Sequence, residues 1–302
     1  MKRIGTLILA LLLMLLPLTA GQAEHPDGTL TYTNLVGKAV QAEVGARLRS
    51  GGVAQERIDR LMLWVDDFNQ AMAVCPTFDL KDDYATITAR GVDYGDYYPM
   101  STAWFKTNKR DYSDVLCRIA AFELMQDHIT VGECLPREQW ACQDDTQWLF
   151  SDGDAIFNAP LMDFSEADIE RYFTLYQPVE IEQGCDAQAM ANAITEAWTR
   201  RGVEIREDGA SLLTIWTQGE GKTAASHAAV LVSDDEGLLL VEKTNPQSPY
   251  QATLFDTQEQ AVRYILDAIR LEDERYDLET GPCVVMKNAT PVLYYNTKED
   301  AP

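Results

Sequence analysis

The spacing of apolar residues along the chain changes near Gly202. Before it they recur at three- and four-residue steps. Ile58, Leu61, Met62, Val65, Phe68 and Met72 form one stripe and predict a helix over about 55–74. Further helices are predicted over 35–48, stopped at Ser50-Gly51-Gly52, from near Asp114 through Ile119 and Leu124, and over 186–201. Another over 165–176 opens with Ser165 and Asp168 at capping-box spacing. Beyond Gly202 the pattern turns to short β-branched and apolar runs: Ser211–Thr217, His227–Val232, Leu238–Lys243, Tyr250–Phe255, Cys283–Lys287 and Val292–Tyr295. One amphipathic helix, Thr257–Arg270, interrupts them. The stretches 75–110, aromatic and turn-rich, and 132–159, acidic with Trp140 and Trp148, show no clear period. Helices first and hairpin-connected strands later predict an α+β fold.

The N-terminus reads as an address. Lys2 and Arg3 precede an apolar run over 4–18, and Ala20-Gly21-Gln22-Ala23 follows as a small-residue cleavage site. The expected organisation is a signal peptide over 1–23 and a single α+β domain over 24–302, helical over about 30–201 and sheet over about 203–296. No second apolar run reaches spanning length. The mature protein is therefore expected outside the cytoplasm, secreted or periplasmic, soluble and without a stable membrane span.

Composition narrows the partners. The 302 residues carry 25 basic and 48 acidic side chains, a net charge of -23, which argues against nucleic acid and simple adhesion to anionic lipid. Three His leave little room for a histidine-rich metal site. No cofactor and no metal are expected. In an oxidising compartment the six cysteines (75, 117, 134, 142, 185, 283) would by default form disulfides, with Cys134 and Cys142 the easiest pair to imagine. A cysteine kept free as a nucleophile would break that count.

Several familiar signatures fail. Gly219-Glu220-Gly221-Lys222-Thr223 imitates the end of a phosphate loop, but Trp216 occupies the earlier glycine position, so a surface turn is expected. Asp144-Asp145 and Asp234-Asp235-Glu236 lack EF-hand spacing. Asn288-Ala289-Thr290 is a formal glycosylation sequon followed by Pro291. What remains is Cys117, in the first turn of its helix if Ser113 or Asp114 is the cap, where the helix dipole and free N–H groups favour thiolate and a nearby N–H can stabilise an oxyanion. The bland alternative is a buried packing cysteine.

His227 opens the most apolar strand and is either a satisfied core residue or the lining of a cleft. If Ser233 faces Leu238 around a four-residue turn, paired positions sum to 471 and Glu242 lies on the face of His227, two residues diagonal. A turn differing by one residue would bring Lys243 and Asn245 to that face instead. Glu242 is the first candidate to orient the imidazole and Asn245 its substitute, leaving the other ring nitrogen to deprotonate Cys117.

Cysteine at a helix start, histidine at a strand start and a polar residue on the next strand resemble the papain-like fold, most closely its compact bacterial version in NlpC-type cell-wall hydrolases. More specifically, the chain resembles an exported bacterial family, domain of unknown function 4300, through Tyr32-Thr33-Asn34-Leu35, Cys117-Arg118-Ile119, the His227 strand, Glu242-Lys243 and Pro249-Tyr250-Gln251. Leu116 stands before the cysteine, where that family more often has Asn. The papain-like resemblance implies N-terminal helices packed on a C-terminal antiparallel sheet. It also implies a thiol hydrolase, amidase- or peptidase-like, with Cys117 as nucleophile, His227 as base then acid, and Glu242 orienting it. An unidentified extracytoplasmic peptide, amide or protein would be the substrate. The competing reading is a non-catalytic exported binding domain in which Cys117 is structural and the aromatic stretch Tyr94 to Phe105 supplies contact surface.

Overall fold

The computed structural model describes residues 28–75, 79–243 and 246–296, so the expected signal segment and Asn245 lie outside the described residues. β1 (Thr29–Thr33) leads into α1 (Lys38–Ser50) and α2 (Gln55–Met72). Then come β2 (Ala85–Thr88), the short α3 (Tyr97–Ser101) with a π-helical turn over 102–107, α4 (Cys117–Met125) and β3 (Ile129–Thr130). α5 (Phe150–Asn158), α6 (Glu166–Tyr176), β4 (Val179–Glu180) and α7 (Ala187–Arg201) complete the helical portion. The last third holds β5 (Glu204–Ile205), β6 (Ala210–Gln218), β7 (Lys222–Asp234), β8 (Gly237–Lys243) and β9 (Tyr250–Phe255). It closes with α8 (Gln258–Arg275), β10 (Cys283–Lys287) and β11 (Thr290–Tyr295).

The fold is α+β, and the strand pairs among the described residues are antiparallel. The main sheet runs β11-β10-β6-β7-β8-β9-β1-β2, with β4 joining β7 off this path. β7 is interior, and the sheet is covered on both sides, which explains why the strand is apolar on both faces. Ala228, Val230 and Val232 meet the large core built with α2, α4, α6 and α7. Ala229 and Leu231 meet the smaller core under α8, with Ala261, Tyr264 and Ile265. Each fully buried valine or leucine among them is worth about 1.5–3 kcal/mol, so exposing either face would be costly.

Local chemistry sets the element ends. Ser165 and Asp168 form the capping box of α6, and Thr257 and Gln260 form one on α8. Asp186 caps α7, and Gly202 ends it at φ +63° in the left-handed region, where an added Cβ would lie 2.9 Å from the Gly132 backbone.

Four expectations need correction. The sheet is not confined to 203–296, because β1 and β2 from the helical portion cover its outer edge through β9 and bury Leu30 and Tyr32. The aperiodic acidic stretch contains α5, whose buried residues are Asp152, Gly153, Ala155 and Ile156, with Ile156 the one large apolar side chain among them. His227 lies well inside β7, not at its start, because the strand begins at Lys222 and pairs with β6 from Gln218 onward. None of the six cysteines forms a disulfide. Cys134 turns towards Thr174, Cys142 packs on Gly153, and Cys185 accepts from Gln218 Nε2 at 3.7 Å, so each is committed to a different element. The phosphate-loop imitation is the β6–β7 turn, closed by Gly219 N–H donating to Lys222 O. Among the described residues no helix is long and apolar enough to cross a membrane.

Candidate active site

Cys117 is the first residue of α4, but neither Ser113 nor Asp114 caps it. The N-cap is Leu116, which offers no side-chain acceptor. Asp114 is engaged elsewhere: its carboxylate receives the Lys243 ammonium and the Val115 N–H. The first intrahelical bond is Ala120 N–H to Leu116 O, so the N–H groups of Cys117, Arg118 and Ile119 have no intrahelical acceptor.

The sheet leaves an opening for this helix start. β8 is paired with β7 up to Ala229 opposite Glu242, and β4 joins β7 at Lys222 and Thr223. Since β6 takes the other edge of β7 at Thr223, β4 and β8 share one edge with a gap between them. Across that gap Arg118 Nη1 donates to Ala225 O at 2.8 Å, and Cys117 Sγ approaches Ser226 O at 3.9 Å. Small residues on both sides, Ala120 and Ala121 against Ala225 and Ala228, let the helix sit close.

A bulge precedes the histidine. His227 pairs with Ile215 but Ala225 with Trp216, so Ser226 is the extra residue and the alternation shifts there. His227 shares the α8 face with Ala229 and Leu231 by simple alternation, while Ala225 falls on the opposite face. The β7–β8 register sums to 471 throughout, and His227 Nε2 lies 2.6 Å from Glu242 Oε2. The Cys117 thiol, whose hydrogen goes to Ser226 O, lies near enough to the same imidazole for each group to shift the other's ionisation.

Donor directions around Glu242 fix its state. Tyr264 O–H donates to Glu242 Oε1 at 2.6 Å. Gln251 Nε2 donates to Tyr264 Oη at 2.6 Å and to Thr253 Oγ1 at 2.7 Å. Tyr94 O–H donates to Gln251 Oε1 at 2.6 Å, and Asn34 Nδ2 donates to Tyr94 Oη at 2.7 Å. The Tyr264 hydroxyl and the Gln251 amide both donate to Glu242 Oε1, so Glu242 is the acceptor at the end of this chain. His227 Nε2 then carries hydrogen, and Nδ1 is the nitrogen left for Cys117.

Burial opposes charge on both members of the pair, but the partners outweigh it. For His227 the neighbouring Cys117 and the hydrogen bond to Glu242 raise the pKa to about 10. For Cys117 the neighbouring His227 and the Arg118 charge pull the thiol below its usual value, against Asp152. Arg118 is held by Asp152, whose Oδ1 accepts Arg118 Nε at 2.8 Å and also receives the Tyr172 hydroxyl. Cys117 is 4 % exposed and His227 2 %. His227 lines a cavity of about 60 Å³ with Tyr94, Tyr97, Tyr264 and Arg275. A second, of about 290 Å³, borders Ser226; the two share Ile269 and Glu272. Among the described residues no group of three or more His, Cys, Asp or Glu is arranged to hold a metal ion.

A family profile described as a domain of unknown function, DUF4300, matches residues 31–292. The chain belongs to this family. No curated protein and no solved structure matches it. The DUF4300 match spans Asn34, Cys117, His227, Glu242 and Gln251 alike.

Of the expected site residues in this DUF4300 chain, the structure brings Cys117, His227 and Glu242 together. Sequence pattern gives no role to Tyr264 or Asp152, offers Tyr94 only as contact surface, and marks Asn34, Arg118 and Gln251 only within family motifs. Tyr264 carries a readable signal: it falls on the buried stripe of α8 with Ala261 and Ile265, where a phenol needs a partner. Removing its hydroxyl leaves Glu242 Oε1 with only Gln251, at 3.4 Å. Tyr264→Phe is expected to cost about 1.5–3 kcal/mol, the usual worth of a hydrogen bond to a charged group. Urea unfolding at pH 7 measures this; a loss below about 0.5 kcal/mol would show that Glu242 does not depend on the phenol.

Proposed function

We propose that the protein is an exported thiol hydrolase acting on an amide or ester, with a papain-like arrangement of its reactive groups. The observation that carries this reading is the chain of contacts Cys117–His227–Glu242, with Tyr264 donating to the far carboxylate oxygen. The Cys117 thiolate attacks the substrate carbonyl, forming a C–S bond. The oxyanion takes hydrogen bonds from N–H groups at the uncapped start of α4. His227 then protonates the leaving amine or alkoxide as its bond breaks. Water attacks the resulting thioester, giving its proton to His227, and the thiolate leaves. The cavities meeting at Ile269 and Glu272 flank His227 and Ser226 and supply an approach from the α8 side. The signal-like N-terminus supports an extracytoplasmic substrate, a peptide or protein amide.

The burial of Cys117 and His227 favours one rival, a non-catalytic exported binding domain with a structural Cys117. Of its aromatic contact surface, Tyr98 and Phe105 are exposed, whereas Trp104 is buried. Incubation with p-nitrophenyl acetate separates the two. The hydrolase should release a burst of p-nitrophenolate and carry an acetyl thioester on the Cys117 peptide, both lost in Cys117→Ala. Cys117 left unmodified in the folded protein, but acetylated after denaturation, would establish the binding domain instead.

A further inference from the structure

The sequence motif Glu242-Lys243 is only half used by the reactive pair and its carboxylate. We infer that Lys243 is a positioning residue: through Asp114 it fixes the approach to α4, and so Cys117, while its neighbour Glu242 fixes His227. The inference rests on reading Cys117 and His227 as a reactive pair.

Lys243 is fully buried, at 0 % exposure, and Asp114 is 4 % exposed. The ammonium lies 2.5 Å from Asp114 Oδ2, 4.0 Å from the centre of the Phe68 ring and 4.4 Å from that of Tyr250. One side chain thus joins β8 to α2, to β9 and to the segment just before Cys117. Phe68 and Tyr250 would accept a hydrocarbon of this length equally well, and a buried ion pair is seldom more stable than well-packed apolar residues. A hydrocarbon cannot supply direction. The pair with Asp114 holds a residue three positions before the thiol at a single distance from β8.

That direction is needed because local structure does not provide it. Leu116 gives α4 no side-chain cap. On the far side of the thiol, Arg118 is tied to Asp152 and to Ala225 O. Cys117 is therefore held between two buried charge anchors, one on each side in sequence. Adjacent residues of a strand point to opposite faces. Glu242 reaches His227 on the α8 face, and Lys243 reaches Asp114 on the other, so two consecutive residues set both halves of the pair.

The test is the pH profile of Cys117 alkylation by iodoacetamide, read by peptide mapping on the full chain, with circular dichroism melts fixing a temperature at which each variant is folded. Lys243→Met is expected to lower the rate at pH 6 by about tenfold or more and to move the profile up towards an ordinary thiol near 8.5. Because a lone Asp114 could unfold the chain, the double variant Asp114→Asn with Lys243→Met removes both charges. It should stay folded and still show the displaced profile. A purely structural pair would change the melting temperature and leave the profile where it was. A folded double variant with the wild-type profile overturns the inference while leaving the reactive pair standing. A wild-type Cys117 whose alkylation below pH 8 does not depend on His227 overturns the reactive pair, and the positioning role with it.

Discussion

Cys117 in the folded protein is expected to react with iodoacetamide at pH 6 roughly 100 times faster than an ordinary thiol, whose pKa near 8.5 leaves it almost wholly protonated there. His227→Ala is expected to remove most of that advantage. The basis is the closeness of the two groups: burial raises the thiol, and His227 and Arg118 lower it further than burial raises it. Without the imidazole, burial and Asp152 oppose Arg118 alone. Glu242→Gln should weaken the rate less, because an amide oxygen can still accept from His227 Nε2. The directions define a pH window. A thiolate–imidazolium pair is expected above the lowered pKa of Cys117 and is lost as His227, raised to about 10, gives up its proton. Hydrolysis that uses both groups rises through the first and falls through the second. Stability follows the same sign: the raised His227 pKa contributes fully below the ordinary value of 6.5 and is lost as pH climbs through about 10. Alkylation equal in wild type and His227→Ala would sink the reactive pair.

The largest stability effect is expected from Asp152→Ala. It strips the carboxylate from the Arg118 guanidinium, which is 8 % exposed and retains only Ala225 O, and removes the acceptor of the buried Tyr172 hydroxyl. Breaking one side of a buried ion pair costs about 3–5 kcal/mol. In a chain of this size that corresponds to a melting temperature lower by roughly 10 °C. Arg118→Met combined with Asp152→Leu should recover much of the loss, since no charge is then left unpaired. That double variant should nevertheless raise the thiol pKa, because the Arg118 charge is one of the influences that lower it. Thermal melts and alkylation profiles on the same samples check both halves. A single variant that melts with the wild type would mean that water reaches Arg118 and that the anchor is not buried in solution.

Part of this arrangement is legible in the amino-acid order alone. The β7–β8 register follows from a four-residue turn and the two-residue period of strands, which together place Glu242 diagonally under His227. Two capping boxes and one aspartate cap announce three helix starts at residue level. The start of α4 falls a few residues beyond the expected cap because Asp114 has the right type for a cap but is claimed by Lys243, 129 residues away. Nothing local signals that competition.

Sequence by itself determined what short-range rules determine: α+β class, helix stripes, strand alternation and hairpin register, and it offered a first-turn cysteine and a histidine on an apolar strand as candidates. Only tertiary structure decided the rest. It placed a bulge at Ser226 that sets Ala225 on the face opposite His227, and opened a gap between β8 and β4 that admits the start of α4. It assembled Asn34, Tyr94, Gln251 and Tyr264 behind Glu242 from four separate elements or loops. It also turned the cysteines towards different neighbours, so that none is bridged. The physical reason is range. A period or a cap is an energy among residues a few positions apart, whereas a hydrogen bond spanning 157 residues, such as Tyr94 to Gln251, depends on how whole faces pack before either group finds its partner.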